Sequence, residues 1–153
     1  MLISIENTPQ FIANLERLGT AVLLGGAVGL ERQIRHKAAG LRTNMLICFG
    51  ACLFTILSHE LAAGFGGDPV RIASQIIPGI GFLGAGTILR ERGSIIGLTS
   101  AATIFVTASV GMAVGGGLYL TAVFATLIGL LALVVFGWLE QAFGADQQGI
   151  QRP

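Results

Sequence analysis

Between Arg92 and Glu140 the chain runs for 47 residues without a single charge. A membrane helix needs roughly 20 largely apolar residues, within a range of about 17–25, so this stretch holds two spans, divided at Gly115-Gly116-Gly117. The stretch from Arg42 to Glu60 encloses 17 uncharged residues and that from Arg71 to Arg90 encloses 18, which makes one span each. Arg17 to Glu31 encloses only 13. It reaches full length if the helix begins near Phe11, with Glu16 and Arg17 close to a membrane face where long side chains can snorkel. The expectation is an all-α, polytopic membrane protein: a bundle of five transmembrane helices over about residues 11–30, 43–59, 72–89, 98–115 and 117–139. Residues 1–139 then form one transmembrane domain, and 140–153 a short cytoplasmic tail.

Composition agrees. Charged residues make up 11% of the chain and hydrophobic ones 53%, with a mean hydropathy of +0.79, whereas soluble domains carry about 25% charge. That excludes a soluble globule and a disordered chain, and leaves the lipid bilayer as the principal partner. A net charge of +1 gives no general attraction to phosphate backbones, so no nucleic acid is expected. The first 16 residues contain no Lys or Arg. The basic region of a cleaved signal peptide is therefore missing, and the first span reads as a permanent helix.

Seven of the nine Lys and Arg residues fall on one side of this arrangement: Arg32, Arg35, Lys37, Arg42, Arg90, Arg92 and Arg152, against Arg17 and Arg71 on the other. The positive-inside rule makes the seven cytoplasmic, the N-terminus external and the C-terminus internal. Tyr119 and Trp138 then sit near opposite ends of the last span, as interfacial aromatics do.

Punctuation supports the boundaries. Asn7-Thr8-Pro9 and Asp68-Pro69 each place a capping side chain before a proline, and Thr99-Ser100 supplies a cap for the fourth span. For Asp68 an ion contact stands beside the capping role. Cys48 and Cys52, four apart in apolar surroundings, read as small packing residues, since two thiols cannot close a usual zinc site. His36 and His59 read as polar residues at helix ends. Ser100 and His59 fall at opposite membrane faces, so they cannot form a nucleophile and base, and an enzyme is not expected.

Gly25 with Gly29, and Gly111 with Gly115, are spaced by four, which in lipid lets helix backbones approach closely, within one chain or in a homodimer. Gly93 and Gly97 repeat the spacing in a loop, where it carries no packing meaning. In the third span Pro78 precedes Gly79, Gly81, Gly84 and Gly86, so a kinked or broken helix is expected at mid-membrane. Such a break can line a polar cavity, here a solute site beside Gln75 and Gly79, or it can serve close packing. Gly79 to Gly84 matches a dinucleotide fingerprint but without a βαβ unit around it.

The sharpest constellation is at the end of the first span. Glu31 and Arg32 stop that helix, Arg35 and Lys37 follow, and Glu31 with Arg35 forms an i, i+4 pair if the helix continues. Glu31, Arg42, Asn44 and Arg90 are expected to gather near one membrane face, as an anion site or as an ion-pair lock between loops.

The blocks Gly29-Leu30-Glu31-Arg32-Gln33, Lys37-Ala38-Ala39-Gly40-Leu41-Arg42-Thr43, Asp68-Pro69-Val70-Arg71-Ile72-Ala73, Gly79-Ile80-Gly81-Phe82-Leu83-Gly84-Ala85-Gly86 and Gly97-Leu98-Thr99, with Ala101-Ala102-Thr103, Gly111 and Gly115, resemble the MgtC/SapB family of bacterial inner-membrane proteins over about residues 20–120. Pro78 and Ser100 depart from its pattern. The resemblance implies five spans with a cytoplasmic C-terminus, and a role in growth at low magnesium, acid tolerance and survival in host cells through regulation of other membrane machinery, notably the ATP synthase. It implies a short member without the C-terminal cytoplasmic domain some relatives carry. The motif residues it brings over are Glu31, Arg32, Lys37, Arg42, Asp68, Arg71, Arg90 and Thr99. Without a Gly-rich loop ending in Gly-Lys, the chain is not itself an ATPase. Two functions follow as alternatives: a non-enzymatic regulator of a partner membrane complex, or a carrier or channel for Mg²⁺, protons or a small solute. No cofactor is expected, and a Mg²⁺ site would have only Glu31 and Asp68 to draw on, where Mg²⁺ usually needs at least one carboxylate.

Overall fold

The computed structural model describes residues 8–91 and 94–147. The elements run α1 (Thr8–Ile34), α2 (Leu41–Phe65), a 3₁₀ turn (Ala73–Gln75), α3 (Ile76–Gly86), a hairpin of β1 (Leu89–Glu91) and β2 (Ser94–Ile96), α4 (Leu98–Gly115) and α5 (Tyr119–Gln147). Four helices, α1, α2, α4 and α5, are long and apolar enough to cross a membrane. With almost every backbone polar group bonded inside a helix, this is the form in which a chain can enter lipid.

The third expected helix is shorter than its expected bounds. In place of a helix over 72–89, α3 has 11 residues, about 16 Å at 1.5 Å per residue, against a hydrocarbon core of about 30 Å. Pro78 does not interrupt it at mid-helix. It is the third residue of α3, where a backbone N–H has no partner within the helix, so proline costs little there.

The packing of α2 against α4 explains what the third segment does. Asn44 meets Thr107 through a hydrogen bond between residues 63 apart, and the close approaches Cys48 to Gly111 and Cys52 to Gly115 keep that offset. A constant offset means that α2 and α4 run parallel. Parallel neighbours need a connection that returns the full length of the helix, and residues 66–97 form it. The return leg starts against Ser58, whose Oγ accepts hydrogen bonds from the N–H groups of Ile72 and Ala73 and donates to the Pro69 carbonyl. It ends where Gly84 lies against Ala101 at the start of α4. The hairpin, with Leu89 paired to Ile96 and Arg90 to Ile95, closes it. Hydropathy alone gave no sign of these strands.

Gly97 is the second correction. It caps α4 with φ +91°, and a Cβ there would collide with the Thr87 carbonyl, so both the left-handed conformation and the space demand glycine. Thr99 and Ser100, expected as the cap, are the second and third residues inside α4. Asn7 lies outside the described residues; Pro9 is in the first turn of α1.

The core is the seam of α1, α2 and α4. On α1 the buried positions Asn14, Ala21, Gly25, Val28 and Arg32 form one stripe at helical spacing. A Cβ on Gly25 would sit 2.6 Å from the Cβ of Cys48, one on Gly29 2.7 Å from Leu41 Cα, and one on Gly115 2.7 Å from the Cys52 carbonyl oxygen. On Gly111 it would overlap the Cys48 carbonyl. Cys48 and Cys52 are completely buried between these glycines, which confirms them as packing residues. The expected close approach is thus made inside one chain. In contrast, over residues 119–139, where its side chains are described, α5 buries only Ala122 and Thr126 and leaves Leu127, Ile128, Leu131 and Phe136 exposed.

A cationic cleft at one end of the bundle

Glu31 and Arg32 do not stop α1. The helix continues to Ile34 and ends in a left-handed residue, His36 (φ 53°), with His36 N–H donating to the Gln33 carbonyl at 3.0 Å and Lys37 N–H to the Arg32 carbonyl at 3.0 Å. This pair of bonds is the Schellman arrangement, with His in the position glycine usually takes. Gln33 in turn reaches forward: its Oε1 accepts from the Leu41 N–H at 3.1 Å and caps α2.

The extra turn brings Arg35 back over Glu31, with Nε 2.7 Å from Oε1, while Arg32 Nη1 lies 3.9 Å from Oε2. The Glu31 and Arg32 side chains are 10% and 3% exposed. Arg32 Nη2 donates to Ser100 Oγ at 3.2 Å, tying α1 to α4. Neither Glu31 oxygen receives a well-aligned hydrogen bond, and Arg32 Nε is buried without an acceptor. A buried charge is tolerated only when compensated, and here one carboxylate faces two guanidinium groups.

Beside this cluster a cleft of about 730 Å³ opens between α1, α4 and α5. Arg32, Arg35, Lys37 and Thr99 line one end; Val28, Val106, Leu133 and Phe136 are among its apolar walls. Arg35 spans the mouth: a Cβ on Gly137 of α5 would be 3.0 Å from its Nη1. Thr103 and Thr126 also line the cleft, but their hydroxyls donate to the Thr99 and Ala122 carbonyls one turn back, so the interior is less polar than its composition suggests.

The other expected site residues are placed elsewhere. Asn44 is completely buried; its Nδ2 donates to the carbonyls of Ala39 and Gly40 at 2.8 and 3.0 Å and its Oδ1 accepts from Thr107. This is a joint between α2 and α4 rather than part of an anion site. Arg42 and Arg90 are exposed and do not join Glu31 in any described ion pair. Asp68 Oδ1 accepts from the Val70 N–H at 2.9 Å, an Asx-turn that opens the turn ahead of the 3₁₀ segment, so the helix cap expected there is not formed. Arg71, Gln75 and Gly79 are exposed on the return leg. Arg35 and Ser100, the residues that complete the cluster, were legible only in part: the i, i+4 spacing announces Arg35, whereas nothing local links Ser100 to a residue 68 positions earlier. Among the described residues no group of three His, Cys, Asp or Glu side chains is placed to hold a metal ion.

Four helices long and apolar enough to cross a membrane, with an ion-pair cluster at one end of the bundle, define a polytopic helical membrane protein. The chain belongs to the MgtC family, whose model matches residues 18–142. It is 46% identical over 135 residues to the "Putative magnesium transporter YhiD" of Escherichia coli K12, covering 84% of this chain and 61% of that one. It is 49% identical over 138 residues to "Protein MgtC" of Brucella abortus (89% and 57%) and 39% identical over 155 residues to "Protein SapB" of Bacillus subtilis (96% and 65%). The chain therefore spans about three fifths of the length of the first two of these relatives. No solved structure gives a significant match.

Proposed function

We propose that the protein is a non-enzymatic component of the bacterial inner membrane that supports ion homeostasis under magnesium or acid stress by regulating a partner membrane complex, such as the ATP synthase, with its basic end in the cytoplasm. The observation that carries this reading is how the two candidate carboxylates are engaged. Glu31 lies 2.7 Å from the Arg35 guanidinium and 3.9 Å from that of Arg32, and Asp68 Oδ1 accepts the Val70 N–H. A Mg²⁺ carrier needs at least one carboxylate free to replace bound water, and a carboxylate between two guanidinium groups has its charge already met.

The printed name of the Escherichia coli relative, a putative magnesium transporter, supports the second reading, a carrier or channel. Flux of Mg²⁺ and protons into liposomes containing the purified protein separates the two. The regulator reading expects flux no greater than in protein-free liposomes and recovery of a partner complex from native membranes in mild detergent. Flux abolished by Glu31→Gln or Asp68→Asn would establish the carrier instead.

A further inference from the structure

The cleft combines two environments. At its mouth three cationic side chains converge, and Arg32 is 3% exposed with an Nε that no acceptor meets. Glu31 neutralises one of the three charges, which leaves an excess of two. Because Glu31 takes the Nε edge of Arg35, the Nη groups of that residue face α5 across the opening. Away from the mouth the lining turns apolar: Val106, Gly129, Ala132 and Leu133, with threonines whose hydroxyls are turned to their own backbones. From Gly137 at the mouth to Thr126, 11 residues of α5 correspond to a groove about 16 Å long. An inorganic anion would use only the mouth, and an uncharged acyl chain only the groove.

We propose that this cleft binds one anionic phospholipid, its phosphate held by Arg32, Arg35 and Lys37 and one acyl chain lying along the groove between α4 and α5. Three features favour that occupant. The excess positive charge favours a lipid of net negative headgroup over a zwitterionic one, the groove is walled on one side by α5, a helix of which little is buried, and basic pockets between membrane helices bind acidic lipid headgroups. The inference does not depend on whether the protein regulates a partner or carries an ion.

The test is a titration of the delipidated full chain in mild detergent, read by native mass spectrometry, with phosphatidylglycerol, phosphatidylcholine and glycerol phosphate as ligands. One phosphatidylglycerol per chain is expected to bind saturably, at least tenfold tighter than phosphatidylcholine, with glycerol phosphate unbound at the same concentrations. At about fivefold per cationic contact, Lys37→Gln weakens binding about fivefold and Arg35→Gln with Lys37→Gln about 25-fold. Arg42→Gln with Arg90→Gln, exposed charges outside the cleft, leaves it unchanged. Ala132→Trp fills the groove from an exposed position and abolishes binding while helical content is kept. Equal affinity for the two lipids, an equal loss from the Arg42 and Arg90 pair, or full binding by Ala132→Trp would each overturn the proposal. Tight binding of glycerol phosphate would overturn it in favour of a free-phosphate site. If Arg35→Gln does not fold, Lys37→Gln and Ala132→Trp, both at exposed positions, decide the matter.

Discussion

Gly111 on α4 and Gly79 on α3 are the same residue in similarly apolar helices, yet they do opposite things. Gly111 lies so close to the Cys48 carbonyl that a single added carbon would overlap it, whereas a Cβ on Gly79, Gly81 or Gly86 would meet nothing within 4 Å. The α1–α2–α4 seam uses its glycines to bring backbones together. The return leg of residues 66–97 carries five of its described glycines, Gly66, Gly67, Gly79, Gly81 and Gly86, as open surface. A small residue in a membrane helix is therefore not itself a packing signal; it becomes one only where another backbone arrives.

The largest effect expected is at the seam. Gly111→Val forces α4 off α2 and is expected to destabilise the fold by about 3 kcal/mol or more, the upper range for overpacking, seen as loss of the folded species in thermal unfolding in detergent. Next comes Ser100→Ala, which removes the hydrogen bond joining Arg32 to α4. It should cost about 1–3 kcal/mol, because a buried charged donor is left unmet. On the return leg the effects are smaller. Asp68→Ala removes the Asx-turn bond to Val70 and is expected to cost about 1 kcal/mol, with Asp68→Asn nearly neutral because asparagine accepts the same bond. Gly79→Ala, in open space, should stabilise by about 0.5–1 kcal/mol through helix propensity. A Gly79→Ala variant as unstable as Gly111→Val would erase the contrast between the two regions.

The site divides in the same way. Glu31 and Arg35 are one helical turn apart, so their pairing is legible in the sequence once the helix continues past Arg32. A charge alone does not terminate a helix. In fact the Schellman turn at His36 ends it, and that turn sets Lys37 at the cleft. Asn44 stands out in the sequence as a polar residue inside a span, but both of its N–H donors are taken by the Ala39 and Gly40 carbonyls, so none is left for an anion. Arg42 and Arg90 fall on the same expected side of the membrane as Glu31, but sharing a face is a statement about depth, and contact also needs the right rotation of each helix.

Charge-free length, the placement of basic residues and the local rules of capping are properties of each segment taken alone. They sufficed for the membrane class and for α1, α2, α4 and α5. The parallel pairing of α2 with α4, the short α3 with its hairpin, the bond from Arg32 to Ser100 and the cleft against α5 came only from the assembled bundle. The reason is physical. Transfer into lipid is governed by the apolar surface of each helix and is nearly additive along the chain. Once inside, lipid tails are as apolar as the helices, so which faces meet is decided by shape and by a few hydrogen bonds between residues far apart in the chain.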